Sequence, residues 1–415
     1  MHSPTSFIHG DAWRLIGAKG LRAVGDGFVS ILLPAYLLGL GLGPFEVGVV
    51  TTATLLGSAL LTLLAGRIAA RFGHRRPLLA AAALMALTGL GFAGFDAYLP
   101  LLVIAFAGTL NPSAGDVSIF LPLEQSLLSR SVGDTERTRI FAYYSLAGSL
   151  MGAFGTLCAG LPGLLSRWTG MPLLAAMRAQ FLGYAAIGLV AALIYRGVQD
   201  PAGTQQQAPV GRLGPSRRHV VRLTALFGVD AFGGGFVVQS ILALWLFRSF
   251  DLPIATAANI FFGTNLLAAV SFLVAVPIAR RFGLVNTMVF THLPSSMLLL
   301  LIPFVSNLAV VIGLLMARSL LSQMDVPTRT SYVMAVVTPA ERPAAASLTS
   351  VPRSLAAAVS PVFAGLLLTV STFAWPLLIG GALKIGYDLT LLSMFRHVRP
   401  VEERPAPATS SSSER

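Results

Sequence analysis

Twelve apolar stretches, each long enough to cross a lipid bilayer, dominate this chain of 415 residues. A transmembrane helix needs about 20 apolar residues, and these stretches are continuous rather than alternating, which favours helices over a β-barrel. Only 11% of the residues are charged, whereas about a quarter are charged in a soluble domain. The sequence therefore predicts an all-α membrane protein whose segments lie near 17–40, 45–70, 77–95, 99–128, 140–165, 173–195, 222–247, 254–279, 284–304, 307–335, 344–371 and 374–395.

The chain also repeats itself at about half its length. Arg71-Phe72-Gly73 follows the second segment, and Arg281-Phe282-Gly283 follows the eighth. Further matches are Pro122 with Pro327, Glu136-Arg137 with Glu341-Arg342, Ala159-Gly160 with Ala364-Gly365, and Gly25-Asp26-Gly27-Phe28-Val29 with Gly233-Gly234-Gly235-Phe236-Val237. The repeat predicts two similar six-helix bundles with a seam between them, and transporters bind their substrates at such seams.

Composition divides the chain into four parts around this repeat. We predict an N-terminal bundle over residues 1–198 and a C-terminal bundle over 222–397. Residues 199–221 are rich in proline, glycine and glutamine, which is typical of a flexible linker. Residues 398–415 end in a serine run and are too polar to pack, so we expect a disordered tail.

Positive charge falls on alternate connections between the segments. Arginines follow the even-numbered segments: Arg67, Arg71, Arg75 and Arg76; Arg130, Arg137 and Arg139; Arg196, Arg212, Arg217, Arg218 and Arg222; Arg280 and Arg281; Arg342. The other connections carry few, mainly Arg167 and Arg248. By the positive-inside rule both termini lie in the cytoplasm of a multi-pass plasma (inner) membrane protein. The net charge of +12 then reflects topology and lipid contact, and we expect no nucleic-acid partner.

The sequence offers little for catalysis or metal binding. Cys158 stands alone within the fifth segment, so we expect it to pack in the interior. No G-x-x-x-x-G-K-[ST] motif occurs, and no His/Asp/Cys grouping has the spacing of a catalytic or metal site. We therefore predict no enzyme activity and no bound cofactor, with energy supplied by a proton gradient.

The loop after the second segment carries a family resemblance. Residues Gly66 to Arg76 read GRIAARFGHRR, which resembles the G-x-x-x-D-R-x-G-R-R/K pattern of the major facilitator superfamily. A degenerate copy stands at Pro277 to Gly283, and the twelve segments and duplication also resemble that superfamily. The resemblance implies a secondary transporter that works by alternating access between two bundles.

In that family this loop helps to close the cytoplasmic side. The resemblance implies the same gating role here for Gly66, Arg71, Gly73, Arg75 and Arg76, and for Arg281 and Gly283 in the second copy. The aspartate of the pattern is Ala70 in this chain and Arg280 in the second copy. The closure must therefore be weaker or built from other groups, while Gly73 still permits a turn with positive φ.

The fifth segment carries Gly148, Gly152, Gly155 and Gly160. This spacing resembles the superfamily's antiporter motif, whose proline is Ala153 here. Small residues at such spacing also allow two helices to approach closely, which is sufficient to explain them.

Ionisable groups inside membrane segments are costly and are therefore functional candidates. The resemblance implies a cavity lined by the first, fourth, seventh and tenth segments. We predict that proton coupling or substrate binding uses Asp26, Asn111, Asp116, Asp230, Gln239 and Arg318. Asp116 and Arg318 lie about halfway along their segments, which suits a site near the midplane.

Other buried charges have alternative interpretations. Glu124 and Arg329 each stand two residues after an equivalent proline, so we expect a gating bridge between the two halves. Lys384 and Asp388 are spaced i,i+4, which predicts a pair that neutralises itself on one helix. For His292, packing or a hydrogen bond competes with a role in proton relay.

These features favour proton-coupled efflux of a small lipophilic or amphipathic compound by a monomeric protein. The first alternative is an uptake symporter or facilitator for a small polar or anionic metabolite, gripped by Asp116 and Arg318. A membrane enzyme and a non-transporting sensor with the same fold are further alternatives. Substrate identity depends on cavity shape, which the sequence does not reveal.

Overall fold

The computed structural model describes residues 4–113, 118–131, 134–199, 214, 216–338 and 341–395. The N-terminal half contains α1 (Pro4–Gly39), α2 (Pro44–Phe72), α3 (Arg75–Gly94), α4 (Tyr98–Ala107), α5 (Phe120–Arg130), α6 (Asp134–Cys158), α7 (Leu161–Thr169) and α8 (Leu173–Arg196). The C-terminal half contains α9 (Arg217–Gly235), α10 (Gln239–Phe250), α11 (Ile254–Phe282), α12 (Leu284–Leu301), α13 (Leu308–Ser322), α14 (Asp325–Ala335), α15 (Arg342–Val370) and α16 (Trp375–Phe395).

These helices confirm the predicted all-α membrane fold. Eleven spans in the described residues are long and apolar enough to cross a membrane. The remaining predicted segment, 99–128, corresponds to the short apolar helix α4 followed by α5. Helix α9 begins at Arg217, so its first residues fall inside the predicted linker 199–221. Residues 200–213 and 215 of that linker, and the predicted tail 398–415, lie outside the described residues.

Four of the predicted segments are divided into two helices each, where we had expected continuous helices. Helix α4 stops at Gly108, and Pro112 follows it, which has no N–H to extend the helix. Gly233, Gly234 and Gly235 end α9, because glycine is a poor helix former. The other two divisions separate α6 from α7 and α13 from α14. Three of the four divided segments are those expected to line the cavity.

Four prolines that fall within the predicted segments occupy two kinds of position. Pro34 and Pro361 lie inside α1 and α15. Pro122 and Pro327 instead lie in the first turns of α5 and α14. A proline in the first turn costs no helical hydrogen bond, so these two mark helix starts rather than bends.

Among the described residues, the two halves share an apolar cluster on one side of the molecule. We call the side where α1 begins and α16 ends the terminus side, and the opposite side the far side. The largest apolar cluster lies towards the far side and combines both halves, including Ile31 and Leu101 with Leu244 and Ala364. Towards the terminus side, one cluster contains N-terminal residues and another contains C-terminal residues. The halves are therefore closed against each other at the far side.

On the far side, α2 and α15 pack with their backbones in direct contact. A Cβ atom placed on Gly48 would lie 3.0 Å from the Cα of Gly365, closer than side chains tolerate. The N–H of Val362 donates to the Thr52 hydroxyl at 3.0 Å. Glycine at both positions is what allows this approach, because any side chain would push the helices apart.

Close approach also explains the glycines of the fifth segment. A Cβ on Gly27 of α1 would lie 2.9 Å from the carbonyl carbon of Gly155 on α6. A Cβ on Gly155 would in turn lie 2.7 Å from the Cα of Val24. Small residues here let α1 and α6 pack backbone to backbone.

Candidate functional site

A buried charged cluster occupies the interior of the N-terminal half. The Nη2 atom of Arg22 on α1 lies 2.5 Å from the Oε2 atom of Glu124 on α5. Tyr144 on α6 donates to the same carboxylate at 2.6 Å, and Tyr195 on α8 donates to its other oxygen at 2.5 Å. We call Arg22, Glu124, Tyr144 and Tyr195 the N-half cluster.

The N-half cluster satisfies its own charges. The guanidinium of Arg22 also donates from Nε to the hydroxyl of Tyr195 at 2.9 Å. It lies 3.9 Å from the ring centre of Phe120, within range of a cation–π contact. Glu124 is 0% exposed and Arg22 is 3% exposed. One positive and one negative group therefore balance each other, and a tyrosine hydroxyl donates to each carboxylate oxygen.

The C-terminal half holds a larger cluster with a different composition. Its members come from four helices and join three carboxylates to an arginine, a lysine and a histidine. We call this set the C-half cluster: Asp230, His292, Asp325, Arg329, Lys384 and Asp388. Unlike the N-half cluster, it contains an imidazole, which changes charge near neutral pH in water.

Asp230 on α9 is the centre of the C-half cluster. Its Oδ2 atom lies 3.0 Å from Nη1 of Arg329, and its Oδ1 atom lies 2.8 Å from Nζ of Lys384. The same Nη1 atom of Arg329 lies 3.2 Å from Asp325. Asp230 is 3% exposed. Two cations on two other helices therefore compensate its buried negative charge.

His292 links Asp230 to Asp388. Its Nδ1 atom lies 2.9 Å from Oδ2 of Asp388, and its Nε2 atom lies 3.4 Å from Nζ of Lys384. With the proton on Nδ1, the ring donates to Asp388 while Nε2 accepts from Lys384. Nε2 is also 3.7 Å from Oδ1 of Asp230. Of the two interpretations offered for His292, the hydrogen bond is present.

The predicted bridge between Glu124 and Arg329 is not formed in the described conformation. Each residue pairs within its own half, Glu124 with Arg22 and Arg329 with Asp230 and Asp325. The equivalence that suggested the bridge is real, because both residues occupy the same turn of α5 and α14. In this structure the two side chains face partners within their own bundles rather than each other.

The prediction that Lys384 pairs with Asp388 is wrong. Lys384 donates to Asp230 on α9, and Asp388 contacts His292 on α12. The i,i+4 spacing places both groups on one face of α16, as expected. That face packs against α9 and α12, which offer each group a partner of its own.

The remaining predicted binding residues have separate positions. Asp26 is partly buried on α1, one turn from Arg22. Asn111 is 2% exposed between α4 and α5, where its Oδ1 atom accepts from the hydroxyl of Ser113 at 2.8 Å. Asp116 lies outside the described residues. The predicted site that joins Asp116 to Arg318 therefore also falls outside the described residues.

Gln239 connects the two halves. It begins α10, directly after the glycine-rich break, and its Nε2 atom donates to the Ser30 hydroxyl on α1 at 2.8 Å. The N–H of the next residue, Ser240, donates to the carbonyl of Pro112 at 3.2 Å. These contacts join the start of α10 to α1 and to the break between α4 and α5, on the far-side part of the seam.

The two copies of the gating loop have the same backbone geometry. Gly73 and Gly283 end α2 and α11 with φ values of 77° and 84°. Each N–H donates four residues back at 2.9 Å, to Ala69 and Ala279. The predicted positive φ at Gly73 is confirmed, and the second copy repeats it.

The arginines near these two glycines differ in their exposure and in their contacts. Arg75 begins α3 and donates to the carbonyl of Arg196, at the end of α8, at 2.6 Å. Arg76 is exposed, and Arg71 and Arg281 are exposed beside Phe72 and Phe282. Gly66 lies within α2. Arg75 thus ties the loop to a helix end of its own half.

A polar contact anchors the start of the C-terminal half on the terminus side. The carboxylate of Glu341 accepts from the N–H of Gly214 at 2.6 Å and from the hydroxyl of Thr338 at 2.8 Å. Hydrogen bonds from Ser216 and Thr338, with that of Gly214, lower the pKa of Glu341 to about 2. The charged carboxylate therefore fastens the segment before α9 to the one before α15.

Sequence reasoning missed several members of the two clusters. Arg22, Tyr144 and Tyr195 are not among the residues predicted for the site. A tyrosine whose hydroxyl must be buried needs a partner, so the two tyrosines could have been used as a signal. Within the described residues, no group of three or more His, Cys, Asp or Glu side chains could hold a metal ion.

Comparison with known proteins agrees with this architecture. The family model described as Major Facilitator Superfamily matches residues 15–229 and 223–414. The chain is 25% identical over 410 residues to "Uncharacterized membrane protein YJR124C" of Saccharomyces cerevisiae, which covers 90% of this chain and 92% of that protein. It is 35% identical over 103 residues to "Putative multidrug resistance protein MdtD" of Yersinia enterocolitica, covering 23% of this chain and 22% of the relative.

A solved structure gives the same picture of the fold. A mutant of the nucleoside transporter NupG matches with a TM-score of 0.73 and 12% sequence identity. The match covers 92% of this chain and 99% of that chain. At such low identity the likeness shows the fold alone.

Proposed function

Because the chain belongs to the major facilitator superfamily and is a transporter rather than an enzyme, we propose that it exports a small lipophilic or amphipathic compound in exchange for protons. The short match to a multidrug resistance protein supports export. The apolar interior, in which the buried ion pairs of the described residues lie in two clusters, suits a lipophilic compound better than a sugar.

The direction of access follows from the sidedness that we propose. Arginines on alternate connections favour a cytoplasmic terminus side. The halves meet at the far side, through Gly48 with Gly365 and through Gln239 with Ser30. The described conformation is then closed to the outside and faces inward. Alternating access requires the far-side contacts to open when the terminus side closes.

The position of His292 is the observation that supports proton coupling. When Nε2 takes up a proton, it becomes a positive donor 3.4 Å from the ammonium of Lys384. The two cations then repel each other, and both compete for Oδ1 of Asp230. Proton binding thus favours a new pairing among α9, α12 and α16.

A change of pairing in the C-half cluster can move helices. Asp230 lies on α9, whose broken continuation α10 carries the far-side contact of Gln239. If Lys384 releases Asp230, α9 loses one of its links to α16. The proton would therefore act on the same segment that closes the far side, which is how a gradient can be coupled to alternating access.

Transport in everted membrane vesicles tests this proposal. A resistance screen of cells that produce the protein first identifies a compound that it excludes. We expect that compound to release protons from acidified everted vesicles, measured by a pH-sensitive dye. His292→Gln should abolish the release, whereas Asp96→Asn, which removes an exposed acid paired with Arg178, should preserve it.

Other results would redirect the proposal. Compound flux that is unchanged by an uncoupler would show that no gradient drives it, against the exchange mechanism. Proton-driven accumulation in right-side-out vesicles would support the uptake symporter instead. Binding without any flux in proteoliposomes would support the sensor.

A further inference from the structure

Arg318 lies on the face of α13 that points into the protein. Successive residues of an α-helix are rotated by about 100°, so Arg318 shares a face with Val311 and Leu315. These two residues are 0% and 1% exposed. Gly313 and Leu320 lie on the opposite face and are exposed. The side chain of Arg318 therefore starts from the interior side of the helix rather than from the lipid side.

The guanidinium of Arg318 lacks the compensation that other inward arginines have. Its Nε atom is buried and has no hydrogen-bond partner within the ranges that the structure describes. No described carboxylate forms an ion pair with it, in contrast to Arg22 and Arg329. A buried positive charge without a partner is energetically unfavourable, and an anion that binds it lowers this free-energy cost.

Three other arginines share the unpartnered Nε atom but not the isolation. Arg178 pairs through another nitrogen with Asp96. Arg75 donates through another nitrogen to a carbonyl. Arg353 lies close enough to Asp230 and Asp325 of the C-half cluster to interact with them electrostatically. Burial of one nitrogen is thus common here. Arg318 differs because its side chain has neither an acidic neighbour nor a hydrogen-bond acceptor in the described residues.

We propose that Arg318 binds the acidic group of the substrate, so that the transported compound is an amphipathic organic anion. This inference rests on the transport function proposed above. The planar guanidinium fits a carboxylate, sulfonate or phosphate through two parallel hydrogen bonds. Val311, Leu314 and Leu315 beside it are apolar and can contact the apolar body of the same compound. The anion can belong to a free amphiphile or to a lysolipid headgroup.

Binding of matched amphiphiles to the purified full chain in zwitterionic nanodiscs tests the inference. Decanoate and decanamide have the same apolar body and differ in charge. We expect the wild type to bind decanoate about 10- to 100-fold more tightly, as two charge-assisted hydrogen bonds allow. Arg318→Gln should remove this preference, and the matched control Arg178→Gln should keep it.

Further variants and ligands sharpen the test. Arg318→Lys keeps the charge but loses the planar fork, so we expect a smaller preference for decanoate in a chain that still folds. If lysophosphatidate binds more tightly than decanoate, the source of the anion is a lipid headgroup. If decanoate binds more tightly, the source is a free amphiphile. Both orders support an anion site at Arg318, provided that Arg318→Gln removes the preference.

Two results would overturn the inference. One is equal affinity of the wild type for decanoate and decanamide, and the other is an unchanged preference in Arg318→Gln. Proton release driven by an uncharged compound, with no preference for anions, would leave the proposed transport function intact and reject only the site. A preference for decanoate without any proton-coupled flux would reject the coupling and keep the site.

Discussion

In the N-terminal half, the buried carboxylate of Glu124 is held by one arginine and two tyrosines, and no side chain of the cluster titrates near neutral pH in water. In the C-terminal half, the buried carboxylate of Asp230 is held by Arg329 and Lys384, with His292 beside them. The first arrangement balances its charges without a mobile proton. The second can gain one positive charge when the imidazole is protonated.

The two clusters also exchange the signs of equivalent residues. Arg22 corresponds to Asp230 in the register that relates Phe28 to Phe236. Glu124 corresponds to Arg329 in the register that relates the prolines of α5 and α14. Duplication has therefore kept a buried ion pair at the same place but with inverted polarity. The lesson is that pairing within each half is preserved, while the identity of the charged groups is free to change.

The largest expected effect concerns removal of the central carboxylates. Glu124→Gln leaves Arg22 buried without an acidic partner in its cluster and should cost about 3–5 kcal/mol of stability. Asp230→Asn should cost less, because Arg329 keeps Asp325 at 3.2 Å. Reversible unfolding in mixed micelles measures both. The double variant Arg22→Leu with Glu124→Leu should recover most of the loss, and equal losses in the two halves would contradict the contrast.

The second effect concerns proton coupling. Asp388→Asn replaces the carboxylate that orients His292 with a neutral amide, so the protonated imidazole loses its charge partner. Proton-driven flux should then fall to background while exchange of substrate against substrate persists. The N-half variant Tyr195→Phe should retain proton-driven flux. Parallel assays of both modes in proteoliposomes separate them. Loss of coupling in Tyr195→Phe, or its survival in Asp388→Asn, would place the proton elsewhere.

A smaller effect is expected from two buried tyrosines, Tyr195 on α8 and Tyr387 on α16. Tyr195→Phe removes a hydrogen bond to the Glu124 carboxylate and should cost about 1.5 kcal/mol. The hydroxyl of Tyr387 is buried without a hydrogen-bond partner in the described chain, so Tyr387→Phe should be neutral or slightly stabilising. Thermal unfolding of the two variants compares them directly. A larger loss for Tyr387→Phe would mean that its hydroxyl has a role in the C-half cluster.

The smallest effect concerns the duplicated glutamates on the terminus side. The folded pKa of Glu341 is about 2, below the value of about 4.3 for an unfolded chain. Its stabilising effect is therefore complete above about pH 4.3 and is lost as the pH falls towards 2. Glu136, its counterpart, contacts Arg139 at 2.8 Å on an exposed surface. Hydrogen exchange at Gly214 should increase in acid and in Glu341→Gln but not in Glu136→Gln, and equal changes would contradict the difference.

Hydropathy and the repeat were sufficient to predict the general architecture. Apolar length located the segments, and the matched glycines at 73 and 283 predicted equivalent turns. The break after α9 could also have been predicted, because Gly233, Gly234 and Gly235 disfavour a continuous helix. These features depend on local sequence, which one chain contains in full.

The partners of buried charges could not be predicted in the same way. Spacing along α16 placed Lys384 and Asp388 on one face but gave no information about the helices facing them. Asp230 and His292 come from elsewhere in the chain, and their distances depend on how each helix is rotated about its axis. For the same reason, the sequence did not reveal that Glu124 pairs with Arg22 rather than with Arg329. Pairing across helices is a property of packing, which no periodicity encodes.

The glycine contact between α2 and α15 has a consequence for leakage. Main chain rests on main chain where Gly48 meets Gly365, so there is no side chain whose rotation could open a passage for water or ions. This contact can open only when the two helices move apart. Turnover of this protein should accordingly be slow and steeply temperature-dependent, and the resting membrane should keep its potential even when the protein is abundant.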